Sequence, residues 1–261
     1  MATEIMYDYN SILIVAVLFV LILAAGEAGY QVGKHYQRKT DQDVKAQTNT
    51  IQAGTLGLLA LILGFTFNMA LQRYNSRSEA VIKEANAIGT TLMRTHLLPA
   101  PYDSVTQNLL QQYINLRLAV SNTSYAMVTE QEALSNETKA LQSDIWVEAV
   151  KAAHLDPRPV TTGFFITSLN DMIDAQSERN ALLALHVPEV IIFLLFVVFI
   201  MSGALIGYAS GLGRKRTFLP FALLSLLICL VVFIILDLDR PKRGIIKINQ
   251  ASMEQLKTGD N

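Results

Sequence analysis

Charged side chains are scarce in the most apolar parts of this 261-residue sequence, so those that occur there are the first candidates for chemistry. Glu27 interrupts an otherwise uncharged stretch, residues 12–32. An ionisable group inside a segment of membrane-spanning length is expensive to bury, so it is usually paired or functional. We expect Glu27 either to pair with Lys34 or Arg38, or to line an ion pathway.

Two further charged clusters lie just outside apolar stretches. The clusters are Arg73, Arg77 and Glu84, and Asp237, Asp239 and Arg240. The spacings of four and seven residues in the first cluster place its members on one face of a helix. We predict that carboxylates of one cluster pair with arginines of the other and fix the helix ends. The alternative is a charged vestibule that concentrates ions at a pore mouth.

Signatures of enzymes are weak in this sequence. The histidines have no partner at i+4 and no carboxylate at ligand spacing, which argues against a zinc or di-iron site. No glycine-rich phosphate loop and no G-x-S-x-G elbow occurs. The single cysteine, Cys229, lies among apolar residues and has no intramolecular partner. We predict no enzymatic activity, no cofactor and no metal site.

Four stretches are long and apolar enough to position these groups in a bilayer. They are residues 12–32, 51–71, 190–209 and 218–236. A helix needs about 20 apolar residues to cross the hydrocarbon core, and a helix satisfies its own backbone hydrogen bonds there. The leader before residue 12 carries Glu4 and Asp8 but no Lys or Arg, which is the wrong charge for a cleaved signal peptide. The sequence predicts an all-α integral membrane protein with four transmembrane helices.

The polar segment of residues 73–186 lies between the second and third spans and predicts an inserted helical soluble domain. Its helices are expected over residues 72–98, 102–119, 130–154 and 163–185, separated by prolines. No glycine or proline occurs between residues 71 and 87, so span two should continue outward as one long helix. The same continuity is expected into span three. The resulting divisions are residues 1–72, 73–186, 187–240 and a C-terminal tail, 241–261.

Span two has two contrasting faces. One face is small to polar and consists of Gly57, Ala60, Gly64 and Asn68; the other is bulky and consists of Leu58, Ile62, Phe65 and Met69. Small residues let another membrane helix approach closely. Alternatively, the helix surrounds a central pathway, with Ile62 or Phe65 as a hydrophobic constriction that gates by dewetting. The spacing is compatible with both interpretations.

The distribution of positive charge favours one orientation. With four spans, both termini and the domain share one side of the membrane, and the two short loops share the other. Lys and Arg are dense in those loops, at residues 34–45 and 214–216, which is typical of cytoplasmic loops. We therefore expect an extracytoplasmic domain, although the C-terminal tail is also basic. A net charge of −1 gives no field that favours nucleic acid, so the lipid bilayer is the expected partner.

Three runs of sequence, residues 57–67, 84–91 and 237–244, resemble the bacterial bestrophin-like domain family. The resemblance covers nearly the whole chain and implies a protein of the bacterial inner membrane. The bestrophins themselves are pentameric anion channels in which apolar residues of the second span line a neck. By that analogy the chain forms a homo-oligomer, a pentamer, that conducts an anion through a neck at residues 58–67, with residues 73–84 as vestibule. The pore-lining candidates are Leu58, Ile62, Phe65, Asn68 and Met69.

This sequence departs from bestrophins in lacking an acidic calcium-binding cluster near its C-terminus and in the place of its inserted domain. A second hypothesis therefore stays open. In it the protein is a non-conducting membrane scaffold or sensor whose helical domain binds a ligand or partner.

Overall fold

The computed structural model describes residues 9–122, 128–213, 218–240 and 244–258. Within these ranges the regular secondary structure is helical throughout. The helices are α1 (Ser11–Tyr36), α2 (Gln42–Arg94), α3 (Tyr102–Asn122), α4 (Val128–Leu155), α5 (Phe164–Ala184), α6 (Glu189–Leu212), α7 (Phe218–Leu238) and α8 (Ala251–Thr258). Short 3₁₀ turns follow α1 and α2, and a π-turn at Pro159–Gly163 precedes α5.

Four helical segments, containing α1, α2, α6 and α7, are long and apolar enough to cross a membrane. This confirms the all-helical fold class with four candidate spans. The helix starts follow local chemistry. The Asn10 side chain caps α1 by accepting a hydrogen bond from the Ile12 amide at 2.9 Å. Pro188 immediately precedes α6, where the missing amide donor costs little.

The long-helix prediction for span two is confirmed, because α2 runs without interruption for 53 residues. The corresponding prediction for span three is wrong. Helix α5 ends at Ala184, Leu185 adopts an extended conformation, and α6 begins only at Glu189. The cause is Pro188, whose ring restricts Val187 to extended conformations and so prevents a continuous helix.

The chain divides into two compact units, with one boundary inside α2. The first unit holds the described residues up to 72 together with 186–213 and 218–240. In it, α1 packs closely along α6, with α7 beside α1. Glycines make this approach possible. A Cβ at Gly29 would lie 2.0 Å from the Ala204 carbonyl oxygen, and one at Gly207 would lie 1.9 Å from the Gly26 carbonyl oxygen. The two backbones are therefore in direct contact.

The second unit holds residues 73–185 and the described C-terminal residues 244–258. Its core is formed by α2, α3, α4 and α5 around fully buried side chains such as Ile88, Tyr113 and Phe165. Ile248 and Met253 belong to the same core, and α8 packs against α3. The sequence analysis, which treats residues 241–261 as a tail, does not predict this contribution.

Candidate functional site

Span two has one buried face along its length. Thr48, Leu59, Thr66 and Ala70 are buried and recur at helical spacing. The Thr66 hydroxyl is satisfied by donating to the Ile62 carbonyl at 2.8 Å. Both faces singled out from the sequence lie away from this buried line. Packing within one chain therefore uses a third face of α2.

The bulky face is only partly covered. Leu58 is 54% exposed and Phe65 is 65% exposed, whereas Ile62 and Met69 are half-buried. Phe65 lies furthest from the buried line among the four. The pore-lining assignment of these residues stays a prediction, since it concerns what lies beyond a single chain.

The small face of span two is open. No heavy atom of the described chain lies within 4 Å of a Cβ placed on Gly54, Gly57 or Gly64. Asn68 continues this face and is exposed, and its amide has no hydrogen-bond partner among the described residues. The contrast with the glycines of α1 and α6 is sharp, because those glycines contact backbone.

Glu84 lies at the centre of a buried ionic network in the second unit. Its carboxylate is fully buried and accepts hydrogen bonds from Arg117 Nε at 2.5 Å and Arg117 Nη2 at 3.2 Å. Arg179 Nη1 donates to the other side at 2.7 Å. Arg179 Nη2 also donates to Ser121 Oγ at 2.9 Å and to Gln250 Oε1 at 3.1 Å. Helices α2, α3 and α5 and the segment before α8 therefore meet at one carboxylate.

The surroundings of the network shift two pKa values. Burial alone would raise the pKa of the Glu84 carboxyl, but the charges and hydrogen bonds of Arg117 and Arg179 outweigh it and hold that pKa below its ordinary value. Burial raises the pKa of Tyr113 to about 12. Glu84 is therefore an anion, and Tyr113 is neutral, throughout the physiological range.

Arg77 also lies in the second unit and is fully buried. Its Nε donates to the Leu182 carbonyl at 3.2 Å, and its Nη2 donates to the Leu185 carbonyl. These carbonyls lie at the end of α5, where backbone acceptors have no partner within the helix. Arg77 thus caps α5. Arg73 is half-buried one turn before it.

Asp239 and Arg240 secure the end of α7 within the first unit. Asp239 Oδ2 accepts a hydrogen bond from the Val187 amide at 3.0 Å, just before α6. Arg240 Nη1 donates to the Tyr9 carbonyl at 2.6 Å and to Ser11 Oγ at 3.0 Å. Asp237 is buried beside them. These contacts join the starts of α1 and α6 to the end of α7.

The sequence predicted Glu84 as a charged site but missed its partners, Arg117 and Arg179. A usable signal exists in both helices. Arg117 follows Leu110, Tyr113 and Ile114, all on the buried face of α3, and Arg179 follows Met172 and Ala175 in the same way on α5. A lone arginine on an apolar helix face indicates a buried partner. Pairing between the clusters at residues 73–84 and 237–240 stays a prediction.

Glu27 is half-buried on α1. Its carboxylate accepts a hydrogen bond from Gln31 Nε2 at 3.4 Å, one turn along the same helix. It lines a small cleft of the first unit together with Tyr30 and Ser210. Its predicted role in an ion pathway stays a prediction.

No cluster of three His, Cys, Asp or Glu side chains suited to a metal ion occurs in the four described ranges. The chain matches neither a curated protein nor a solved structure. A family model, described as the bestrophin-like domain, matches residues 17–253, which include all four apolar helices and the second unit. The chain is a multi-pass membrane protein of the bestrophin-like domain family.

Proposed function

We propose that this protein is a homo-oligomeric anion channel of the membrane, with α2 lining the pore. One observation carries the proposal. The glycine face of α2, at Gly54, Gly57 and Gly64, is empty in the single chain. The other glycine-rich helices of the first unit, α1 and α6, use their glycines for contact between backbones.

Small residues on a membrane helix serve close approach, because lipid tails fill the space beside a large side chain equally well. Since no part of the described chain approaches this face, the surface fits a second copy or a water-filled path. Asn68 points to the same conclusion, because an amide facing lipid has no hydrogen-bond partner. A ring of copies around an axis supplies both a neighbour and a path.

The ion class rests on the family likeness. The candidate lining residues, Leu58, Ile62, Phe65, Asn68 and Met69, carry no charge, so they act through pore width and wetting rather than attraction. Arg73, Arg77 and Glu84 were proposed as vestibule. Because Arg77 and Glu84 are buried in contacts of the second unit, their role there is to hold its helices.

Chloride flux into liposomes tests the proposal. Phe65→Ala is expected to raise the flux several-fold, because it removes the most exposed bulky side chain of the neck, and Ile62→Ala is expected to act in the same direction more weakly. Phe193→Ala is the matched control, since Phe193 is a half-exposed phenylalanine of α6. Its flux should equal that of the unsubstituted protein. A folded oligomer with no flux above protein-free liposomes would refute the channel and favour the scaffold or sensor.

We further propose that the second unit is a water-soluble domain on the outer side of the bacterial inner membrane. Its support is the density of Lys and Arg in the loops before α2 and before α7. A protease added to intact spheroplasts is expected to cut within residues 123–127, between α3 and α4. A tag inserted between α6 and α7 should stay protected until the membrane is broken. The reverse pattern would place the unit in the cytoplasm.

A further inference from the structure

A small cleft lies in the first unit where α1, α6 and α7 meet. Its polar groups are the Glu27 carboxylate and the Tyr30 and Ser210 hydroxyls, and its aromatic groups are the rings of Phe218 and Phe221. Gly26 and Gly207 complete the lining and leave the space open. Phe221 lies directly across α1, since a Cβ on Gly26 would meet its ring at 2.4 Å.

The depth of the cleft matches the boundary between headgroups and acyl chains. Gly207 lies five residues before the end of α6 at Leu212, which corresponds to about 8 Å along a helix. Phe218 is the first residue of α7. The cleft is therefore near the membrane surface, at the depth where interfacial groups insert.

The lining is suited to a cation. The only formal charge among the lining residues is the carboxylate of Glu27. A carboxylate at this depth is stabilised by a positive group close by. The two hydroxyls can accept further N–H bonds, and the aromatic rings attract a cation over their faces.

The size of the cleft selects among cations. It holds about 30 Å³, which is enough for a group of the size of a water molecule. A primary ammonium has that size and carries three N–H donors. A trimethylammonium group is several times larger and has no N–H donor, so it fits neither the space nor the acceptors.

We propose that this cleft binds a primary ammonium group, the group carried by the ethanolamine headgroup of a membrane lipid and by free amines. Glu27 supplies the ionic contact, with Tyr30 and Ser210 as additional acceptors. The site is independent of ion conduction by α2. It gives the protein a preference for lipids that end in a primary amine.

Lipid binding to the detergent-solubilised full-length protein, read by native mass spectrometry, tests the site. The probes are phosphatidylethanolamine, its N-methyl and N,N-dimethyl derivatives and phosphatidylcholine, all with identical acyl chains. This series keeps the phosphate constant and removes one N–H donor at each step. Affinity is expected to fall at least tenfold across it. Equal affinity for the two ends of the series would overturn the proposal, even with no substitution made.

Glu27→Gln is expected to remove the preference, so that phosphatidylethanolamine binds no better than phosphatidylcholine. Glu189→Gln is the matched control, because Glu189 is an acid at the first turn of α6 and does not line the cleft. It should keep the full preference. Retention of the preference in Glu27→Gln would refute the assignment.

Free ethanolamine then separates the two sources of the ammonium group. If millimolar ethanolamine displaces the bound lipid, the ammonium alone is recognised and a soluble amine can occupy the site. If it does not, the lipid is the ligand, because its acyl chains add to the contact. Both results keep the ammonium assignment, and the methylation series decides whether that assignment stands.

Discussion

Glu84→Gln is expected to destabilise the second unit by about 3–5 kcal/mol, the cost of removing one partner from a buried ion pair. The substitution keeps the shape of the side chain. It leaves Arg117 and Arg179, both nearly fully buried, facing each other with no negative charge between them. The repulsion and the loss of charged acceptors act together, because the same carboxylate serves both guanidinium groups.

Trp146 makes this effect measurable in the full-length protein. It is the single tryptophan of the chain and lies on α4 in the second unit, so its fluorescence follows denaturant unfolding of that unit. Glu178→Gln is the matched control, since Glu178 pairs with Lys83 at the exposed surface. An exposed pair contributes little, and its loss should leave the unfolding midpoint nearly unchanged. Similar midpoints for both variants would contradict a central role for Glu84.

A second substitution tests whether the excess positive charge is the cause. Adding Arg179→Met to Glu84→Gln removes one of the two facing charges, so part of the stability should return. The pH dependence gives an independent check. Because the folded-state pKa of Glu84 is lowered, its stabilisation is present above the unfolded value of about 4.3 and is lost as pH falls through the folded value. Glu84→Gln should lose this part of the acid sensitivity.

Gly207→Ala is expected to destabilise the first unit by about 3 kcal/mol, at the upper end of overpacking costs. The added Cβ would lie 1.9 Å from the Gly26 carbonyl oxygen and 2.7 Å from its carbonyl carbon. Both are backbone atoms, so no side chain can rotate away. Helices α1 and α6 must separate by more than 1 Å, which also weakens the contacts of the neighbouring glycines.

Cys229 reports on this unit, because the chain has one cysteine and its thiol is buried on α7. Labelling by a thiol-reactive dye during heating in detergent should occur at a lower temperature in Gly207→Ala. Gly203→Ala should show a smaller shift, since its Cβ would lie 3.0 Å from the Ile22 carbonyl oxygen. Gly54→Ala, in open space on α2, is the control and should show none. Equal shifts at all three positions would mean that helix propensity, and not close packing, sets the effect.

The sequence alone predicted much of the membrane part. Uncharged runs of about 20 residues leave few alternatives to a spanning helix, and the absence of glycine and proline after Leu71 predicted the continuous α2. The break before α6 was missed because the weight of Pro188 in ending helix continuity was underestimated. Helix ends are set by such local effects, which compete with the apolar pattern around them.

The contacts between distant segments could not be predicted in the same way. The partner of Glu84 depends on which helix face of α3 and α5 turns inward, and several arginines were available to choose from. The close contacts of Gly29 with Ala204 and of Gly26 with Gly207 join residues about 180 positions apart. One sequence shows that small faces exist but not which faces meet.

The order of synthesis matters for the second unit, because Met253 is part of its core. Residues 73–185 leave the ribosome first, yet they lack Ile248, Met253 and the Gln250 contact to Arg179 until α6 and α7 have been made. Completion of this core is therefore tied to the translation of both later membrane helices. A chain that stalls within α6 or α7 presents an unfinished apolar surface, which is the kind of feature that proteases and chaperones of the membrane recognise.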